Sequence, residues 1–460
     1  MGGIITLLPV IVLLFVAVKT KRTASSLIIA VILAYIIKDG PEFIWTMIDG
    51  FYDVAMDEDL IWMILIMVFI GCLIGLLTVM GATEALITVI TKRINSQRSL
   101  FLYSWLLIVL LFIDDAVRTI VLGQLSPLYD KYGVPRATLT YLADGTGPCI
   151  ATLIPVTDWA AFFMGIFAGY YALSDTEIFS MYVGAIPFMF YGWASIIIVF
   201  GFTMGWIPKL GAMKKTYAHF EKTGELYSER SRRFNEMKTV EMDEDGNFIS
   251  SIQKPVPRIV CFVVTFVILT AVVIIWHDLL IGLVIANLIL AIWALVARFA
   301  KWGSILSSAL EGAASMTTIN IIIFSAITLR TVLTDLGMPD FIISVAEPFV
   351  SPALFPVISF LAVCLLTFTT GSNWGVTAVY ATIGAPLGIA IGAHPALLMA
   401  AIINGATFGS HICFYCDYTV FASQLTKIDN MEHALTQLPY GLIGAGISVV
   451  LFAAFGIMLT

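Results

Sequence analysis

The chain has 460 residues, of which 60% are hydrophobic and 12% charged, and its mean hydropathy is +0.97; a soluble globule of this size needs far more polar surface. Its net charge is -7, and the 24 basic residues fall in short hydrophilic breaks that form no stripe, so no nucleic-acid partner is expected. The composition is that of an all-α polytopic membrane protein whose first partner is the lipid bilayer.

Met1-Gly-Gly runs directly into an apolar segment with no basic flank and no small-residue cleavage pattern, which reads as a first span and not as a removable signal. Lys19, Lys21 and Arg22 follow it, and the positive-inside rule turns that break toward the cytoplasm, leaving Met1 outside. A span needs about 20 apolar residues, and Leu60–Val79, residues 182–206, residues 256–276 and Leu279–Val296 meet that length. Basic clusters recur at Lys92, Arg93 and Arg98, across residues 209–258, at Arg298 with Lys301, and at Lys427. Acid-rich breaks lie at residues 39–42, 53–59, 175–177 and 335–340. The two sets alternate consistently if residues 139–171 and 395–424 each enter and leave on one side, as re-entrant or broken helical hairpins. About ten transmembrane helices plus these two hairpins are expected, in the cell membrane, with both termini outside.

The division that follows is N-terminal helices at 1–58, a first repeat at 59–208 with its hairpin at 139–171, a cytoplasmic charged linker at 209–255, connecting helices at 256–300, and a second repeat at 301–460 with its hairpin at 395–424. The linker mixes both signs, carries almost no aliphatic residues and reads as a solvated loop. Residues 77–86 resemble residues 332–341, and Pro155-Val-Thr-Asp-Trp159 falls opposite Phe414-Tyr-Cys-Asp-Tyr418, making Asp158 and Asp417 counterparts. On the charge map the two halves run in opposite directions. Inverted repeats put a binding site near the membrane midplane, between halves that rock to alternate its exposure.

Carboxylates and helix breakers inside such segments mark where a solute can bind, because ionisable groups at bilayer depth need protein or water around them. Asp114 and Asp115 follow an apolar run, and two adjacent carboxylates resist joint ionisation, which suits one of them to carry a proton. Arg118, one helical turn on, can pair with either; a buried structural ion pair is the bland alternative. Asp144-Gly-Thr-Gly-Pro148 is expected to break its helix. The carbonyls freed there, with the Thr146 and Thr157 hydroxyls and the Asp144 and Asp158 carboxylates, are hard oxygen ligands suited to Na+. In the second half, Gly371-Ser-Asn-Trp-Gly375 offers Ser372, Asn373 and Trp374, and residues 404–411 offer Asn404, Ser410 and His411. Close helix packing through small residues is the rival use of these glycines.

These stretches carry a resemblance. Phe112-Ile-Asp-Asp115 with its continuation to Asp144 looks like the FDDY block and DSTAAP motif of the NhaC family of Na+/H+ antiporters, Pro155-Val-Thr-Asp-Trp159 resembles its PISSW, Gly371-Ser-Asn-Trp-Gly375 its GTSWG, and residues 430–440 its closing segment. The resemblance spans roughly residues 60–440 and implies a secondary transporter, not an enzyme, with Na+ and/or H+ as coupling ions and no cofactor. The residues' own chemistry nominates Asp144, Thr146, Asp158 and Asp417 for Na+, with Thr419 added to the transport site, and a homodimer is a further expectation.

The departures are specific. Where the family reads GDHCSPISDTT this chain has Gly409-Ser-His-Ile-Cys-Phe-Tyr-Cys-Asp-Tyr-Thr419, so an acid has become Ser410, while Asp158 stands in place of a family serine. Losing one carboxylate and gaining another beside Trp159, Phe414, Tyr415 and Tyr418 would suit a small organic solute such as an amino acid or amine, held by charge and cation–π contact, and the resemblance also implies a range that takes in organic carboxylates. Cys413 and Cys416, with His411, leave a membrane thiol-redox protein as a remote alternative. No ring of pore-lining charge suggests a channel, and no GxxxxGK[ST] sequence suggests an ATP-driven pump.

Overall fold

The computed structural model describes residues 3–20, 22–112, 118, 121–123, 125–234, 255–276 and 278–460. Every regular element among them is a helix, as expected where lipid offers the backbone no hydrogen-bond partner. Among the described residues seven helices are long and apolar enough to cross a membrane, or up to nine if each of two bent pairs is one span.

The N-terminal helices are α1 (Leu8–Thr20), α2 (Thr23–Asp39) and α3 (Phe43–Ala55). Next comes α4 (Glu58–Val79), whose first turn is capped by Asp57 accepting from Leu60 N at 3.1 Å. Gly81, at φ 63°, turns the chain into the short amphipathic α5 (Ala82–Thr91), and α6 (Gln97–Leu110) and α7 (Ser126–Lys131) follow. Helix α8 (Arg136–Leu153) meets α9 (Asp158–Tyr171) at 49° across residues 154–157. That is an interrupted helix, far from the reversal of a tight hairpin. Residues 182–206, long enough by sequence for a span, fall in a bent pair: α10 (Asp175–Ala185) and α11 (Phe190–Thr203) meet at 49° across a 3-10 turn containing Pro187, which cannot continue the backbone ladder.

The second half takes up the same order. After α12 (Gly211–Thr223), α13 (Pro255–Trp276), α14 (Leu279–Val296) and α15 (Trp302–Ser315) comes α16 (Thr317–Asp335). Gly337, at φ 73°, then opens the amphipathic α17 (Met338–Ala346), as Gly81 opens α5. Helix α18 (Phe355–Thr370) ends at Gly371, and α19 (Asn373–Ile391), α20 (Pro395–Ile412), α21 (Asp417–Thr426) and α22 (Asn430–Leu459) complete the chain. Four residues separate α8 from α9 and four separate α20 from α21, and in each case the second helix begins on an aspartate, Asp158 or Asp417.

Close approach of α4 and α15 fixes one flank. A Cβ on Gly71 would lie 2.3 Å from Gly312 O, and one on Gly75 would lie 1.9 Å from Ser308 O. The two backbones touch through a Gly-xxx-Gly face, where small side chains let dispersion contacts and lipid exclusion hold helices together. At the centre, α8 buries every residue but Ile150, and α20 buries all of residues 396–411. Helices buried on all faces occupy the middle of a bundle, and these two carry the polar residues.

The linker is not simply solvated. Its first part folds as α12 and a 3-10 turn at Glu229–Phe234, with Met213 buried and Tyr217 Oη 2.9 Å from Thr138 Oγ1 on α8. Met213 and Tyr217 are thus two of the anchors by which an otherwise charged segment docks. The His219 hydrogen bond, with the Arg232 guanidinium, holds the Glu225 carboxyl below the usual carboxylate range.

Candidate functional site

Asp144 lies midway along α8 with no solvent exposure. Its Oδ2 accepts from Gln437 Nε2 at 2.7 Å, faces His433 Nε2 at 2.7 Å, and takes a longer contact from Thr419 Oγ1 at 3.4 Å. Its Oδ1 faces His411 Nε2 at 3.8 Å. His433 and Gln437 are four residues apart on α22 and therefore share a face. Beside a carboxylate His433 Nε2 is the donor, which leaves the ring neutral with a bare Nδ1 or charged with two N–H groups. Gln437 Nε2 also donates to His411 O, and His411 Nδ1 lies 2.9 Å from Tyr191 Oη on α11. The buried carboxylate of α8 is thus faced by groups from α20, α21 and α22, with Tyr191 of α11 behind His411, and two of these groups are imidazoles, whose ordinary titration spans the physiological range.

A small pocket opens against this centre, lined by Tyr141, Gly145, Tyr191, Ser195, His411, Ile412, Gln437 and Gly441. Asp144 Oδ1, Gln437 Oε1 and Tyr141 Oη are buried and have no hydrogen-bond partner among the described residues. Buried polar atoms are normally satisfied, so each of these oxygens is a point that a water, a proton or a cation can complete. Among the described residues no group of three or more His, Cys, Asp and Glu is arranged to hold a metal. The orphaned oxygens are hard donors, which fit Na+ and not a soft ion, and they stand beside the imidazole nitrogens of His411 and His433.

The residues expected from sequence divide into several environments. Asp144, Ser410, His411 and Thr419 belong to or border the polar centre: Ser410 O accepts from Thr419 Oγ1 at 3.3 Å, and Ser410 Oγ lies 3.0 Å from Cys416 Sγ. Thr146 is buried, and its Oγ1 has no hydrogen-bond partner among the described residues. Thr157 holds the break together, accepting from Ala160 N at 3.1 Å and donating to Ala151 O at 2.6 Å. Asn404 is a structural brace, because its Oδ1 accepts from Gly192 N at 2.9 Å and its Nδ2 donates to Ala400 O at 2.8 Å. Ser372 caps α19 by accepting from Gly375 N at 3.3 Å, and Asn373 Oδ1 accepts from Trp374 N at 2.8 Å. Asp158, 4% exposed, accepts from Trp159 N at 2.9 Å at the head of α9. There Trp159 and Trp374 have ring centroids 5.1 Å apart, with Phe162 4.7 Å from Trp374. Asp114 and Asp115 lie outside the described residues, and Asp417 is described only as the first residue of α21, without its side chain.

The expected break at Asp144-Gly-Thr-Gly-Pro148 is a correction. Helix α8 runs through it with Pro148 inside, and the chain breaks later, at residues 154–157. Pro148 removes only the donor that would meet the Asp144 carbonyl, and the glycines serve proximity: a Cβ on Gly147 would lie 2.5 Å from Nε of the buried Arg118. Arg118 Cζ also sits 5.7 Å from the centroid of the Tyr418 ring. Residues 404–411 are continuous helix as well, with Gly405 and Gly409 allowing contact with α18. Gly147→Ala should therefore displace the guanidinium at a cost of about 1–3 kcal/mol. A melting temperature unchanged from wild type would show that Arg118 has slack.

Sequence reasoning missed His433, Gln437, Tyr191, Ser195 and Tyr141. A signal existed for the first two, which are polar residues at helical spacing inside a long apolar run. For Tyr191 and Tyr141 there was none, since an aromatic in a span is ordinarily packing.

A model of the Na+/H+ antiporter family matches residues 150–457. The chain belongs to the Na+/H+ antiporter family. It is a multi-pass membrane transporter, not an enzyme. The antiporter is 23% identical to an uncharacterized protein of Haemophilus influenzae over 95% of this chain and 87% of the relative. It is 28% identical to the malate-2H(+)/Na(+)-lactate antiporter of Bacillus subtilis over 24% of each chain. It is 24% identical to the arginine/ornithine antiporter ArcD of Halobacterium salinarum over 37% of this chain and 36% of that one, so the two named relatives are matched over a minor part of their length. Its fold is similar to that of Neisseria gonorrhoeae MtrF, described as one of a class of antimetabolite efflux pumps, with a TM-score of 0.59 at 11% identity over 90% of this chain and 83% of that one. It is equally similar to the Alcanivorax borkumensis YdaH transporter, with a TM-score of 0.59 at 14% identity over 91% and 89%.

Proposed function

We propose that this antiporter is a cation-coupled exchanger of the NhaC type, working by alternating access, in which Asp144 is the carboxylate that protons and Na+ occupy in turn. The observation that carries the reading is the fully buried Asp144 held between His433 and His411 where helices of both halves converge. A carboxylate there must be neutralised by a proton, an imidazolium or a cation, and exclusive occupancy by one of them is the elementary requirement of exchange. The pairing of α4–α5 and α8–α9 with α16–α17 and α20–α21 supports two inverted repeats, and the basic breaks support a cytoplasmic linker and termini outside the cell. Purified protein in liposomes should acidify or alkalinise the lumen in answer to a Na+ pulse. A lumen pH indifferent to Na+, Li+ and K+ would remove the ion-exchange reading.

A second reading is favoured by one specific arrangement: Asp158 at the head of α9 beside the Trp159, Trp374 and Phe162 rings. A carboxylate beside aromatic faces suits an organic ammonium, and two relatives are named for organic solutes. In that case unlabelled amino acid or amine inside the liposome accelerates entry of the labelled one. Trp374→Leu should then raise its KM about tenfold, about 1.4 kcal/mol, within the range of a desolvated cation–π contact. An unchanged KM would assign the rings to packing.

A further inference from the structure

Segment 211–234 bridges the two helices that form the polar centre. Glu432, adjacent to His433 in the first turn of α22, is 9% exposed. Its Oε2 accepts from Ser228 Oγ at 2.5 Å and from Ser231 Oγ, and Ser228 N reaches Oε1 at 3.4 Å. Ser231 is fully buried, and its Oγ accepts in turn from Asp429 N at 2.8 Å. Toward α8, Leu226 O accepts from Arg136 N at 3.1 Å, satisfying one of the orphan donors of that helix start. The Arg136 guanidinium, bound to Asp130 by contacts of 2.9 and 2.6 Å, lies 5.5 Å from the centroid of the Tyr227 ring. Farther along, Leu210 N donates to Tyr440 Oη at 2.8 Å, and Tyr440 stacks on Tyr141 with centroids 4.7 Å apart.

A charged, mostly polar segment has little hydrophobic reason to seat a buried carboxylate and two hydroxyls at this point. What these contacts accomplish is to tie the first turns of α8 and α22 together. Asp144 lies about two helical turns beyond Arg136, and His433 follows Glu432 directly. A 2.7 Å contact between Asp144 and His433 survives only while the register of those two helices is fixed. Alternating access, for its part, requires the polar centre to part on one side.

We propose that segment 211–234 is a strap that clamps α8 to α22 on the face from which the linker emerges, with Glu432 as its latch, and that it lets go each time the polar centre opens to that face. The proposal rests on the reading of Asp144 as the exchange site. Release replaces the buried Ser–Glu432 hydrogen bonds with water, an exchange whose net cost is modest because the serines and the carboxylate are well solvated when free. The strap is therefore suited to cycling, unlike the apolar helix contacts around it.

The contact between Asp429 N and Ser231 Oγ brings the two residues within the reach of a disulfide. In the full-length protein in liposomes, the double variant Ser231→Cys with Asp429→Cys should lose flux at least about tenfold when oxidised and regain it on reduction. Adding the oxidant should leave wild type and each single variant at the rate it shows without oxidant. A quantitatively cross-linked pair that still exchanges at the reduced rate overturns the strap. Ser228→Ala with Ser231→Ala is the non-covalent counterpart. It should speed hydrogen exchange of amides 226–231 and raise turnover, and faster hydrogen exchange with unchanged or slower turnover also overturns the proposal. Either failure leaves the Asp144 reading standing, whereas wild-type flux in an Asp144→Asn protein removes both.

Discussion

Asp144→Asn should abolish cation-coupled flux in liposomes, a fall of at least about a hundredfold or about 2.7 kcal/mol, while the protein still folds and inserts. Asparagine preserves the shape, and its carbonyl can still accept from Gln437, so the polar network is not emptied. What disappears is the charge that attracts a proton or Na+ and that balances His433 when protonated. Removing one partner of a buried ion pair strands the other, and here the stranded group is an imidazole that can simply shed its proton. The fold is therefore expected to tolerate the change, with a melting temperature within a few degrees of wild type. The informative contrast is with Asp115→Asn and Asp417→Asn, which the sequence also nominates. Flux retained in the Asp144 variant but lost in those two would move the exchange site from Asp144 to those carboxylates.

Gly75→Leu should do the opposite, removing the folded protein and leaving nothing to assay. A single Cβ at this position would lie 1.9 Å from Ser308 O, and the atom it meets is backbone, which cannot rotate away. Helices α4 and α15 would have to separate along the face where Gly71 and Gly312 also touch. Inserting one methyl into such packing costs about 1–3 kcal/mol, so Gly75→Ala should lower the melting temperature measurably. Leucine forces the interface open and should cut the yield of monodisperse protein to near zero. Normal yield and stability of the leucine variant would show that α4 and α15 are not held at this distance in the membrane.

These two sites show what a linear reading reaches. Asp144 was legible because a carboxylate in membrane-grade sequence is costly unless something uses it. The second break was legible through its likeness to the first, since each is four residues long and the helix after it begins on an aspartate. The continuity of α8 through Gly145, Gly147 and Pro148 was not, since glycine and proline read locally as breakers, and only the neighbours Val199 and Arg118 reveal that they make room. Gly71 and Gly75 were passed over for the same reason. Their meaning lies in Ser308 and Gly312, which are far away in sequence. The docking of the charged linker was hidden too, because Ser228, Ser231 and Glu432 are unremarkable surface residues until they are placed together.

The contact between His433 and Asp144 spans 289 positions of chain. During synthesis at roughly 5–20 residues per second, the carboxylate enters the bilayer some tens of seconds before its imidazole and amide partners leave the ribosome. For that interval it must travel as the neutral acid or keep water beside it, since a bare charge at mid-membrane is penalised by about 2.5–3.5 kcal/mol. The last helix thus acts as the closing stone of biogenesis. A nascent protein that stalls before α22 retains an unmatched acid within the lipid, a defect that membrane quality control can recognise.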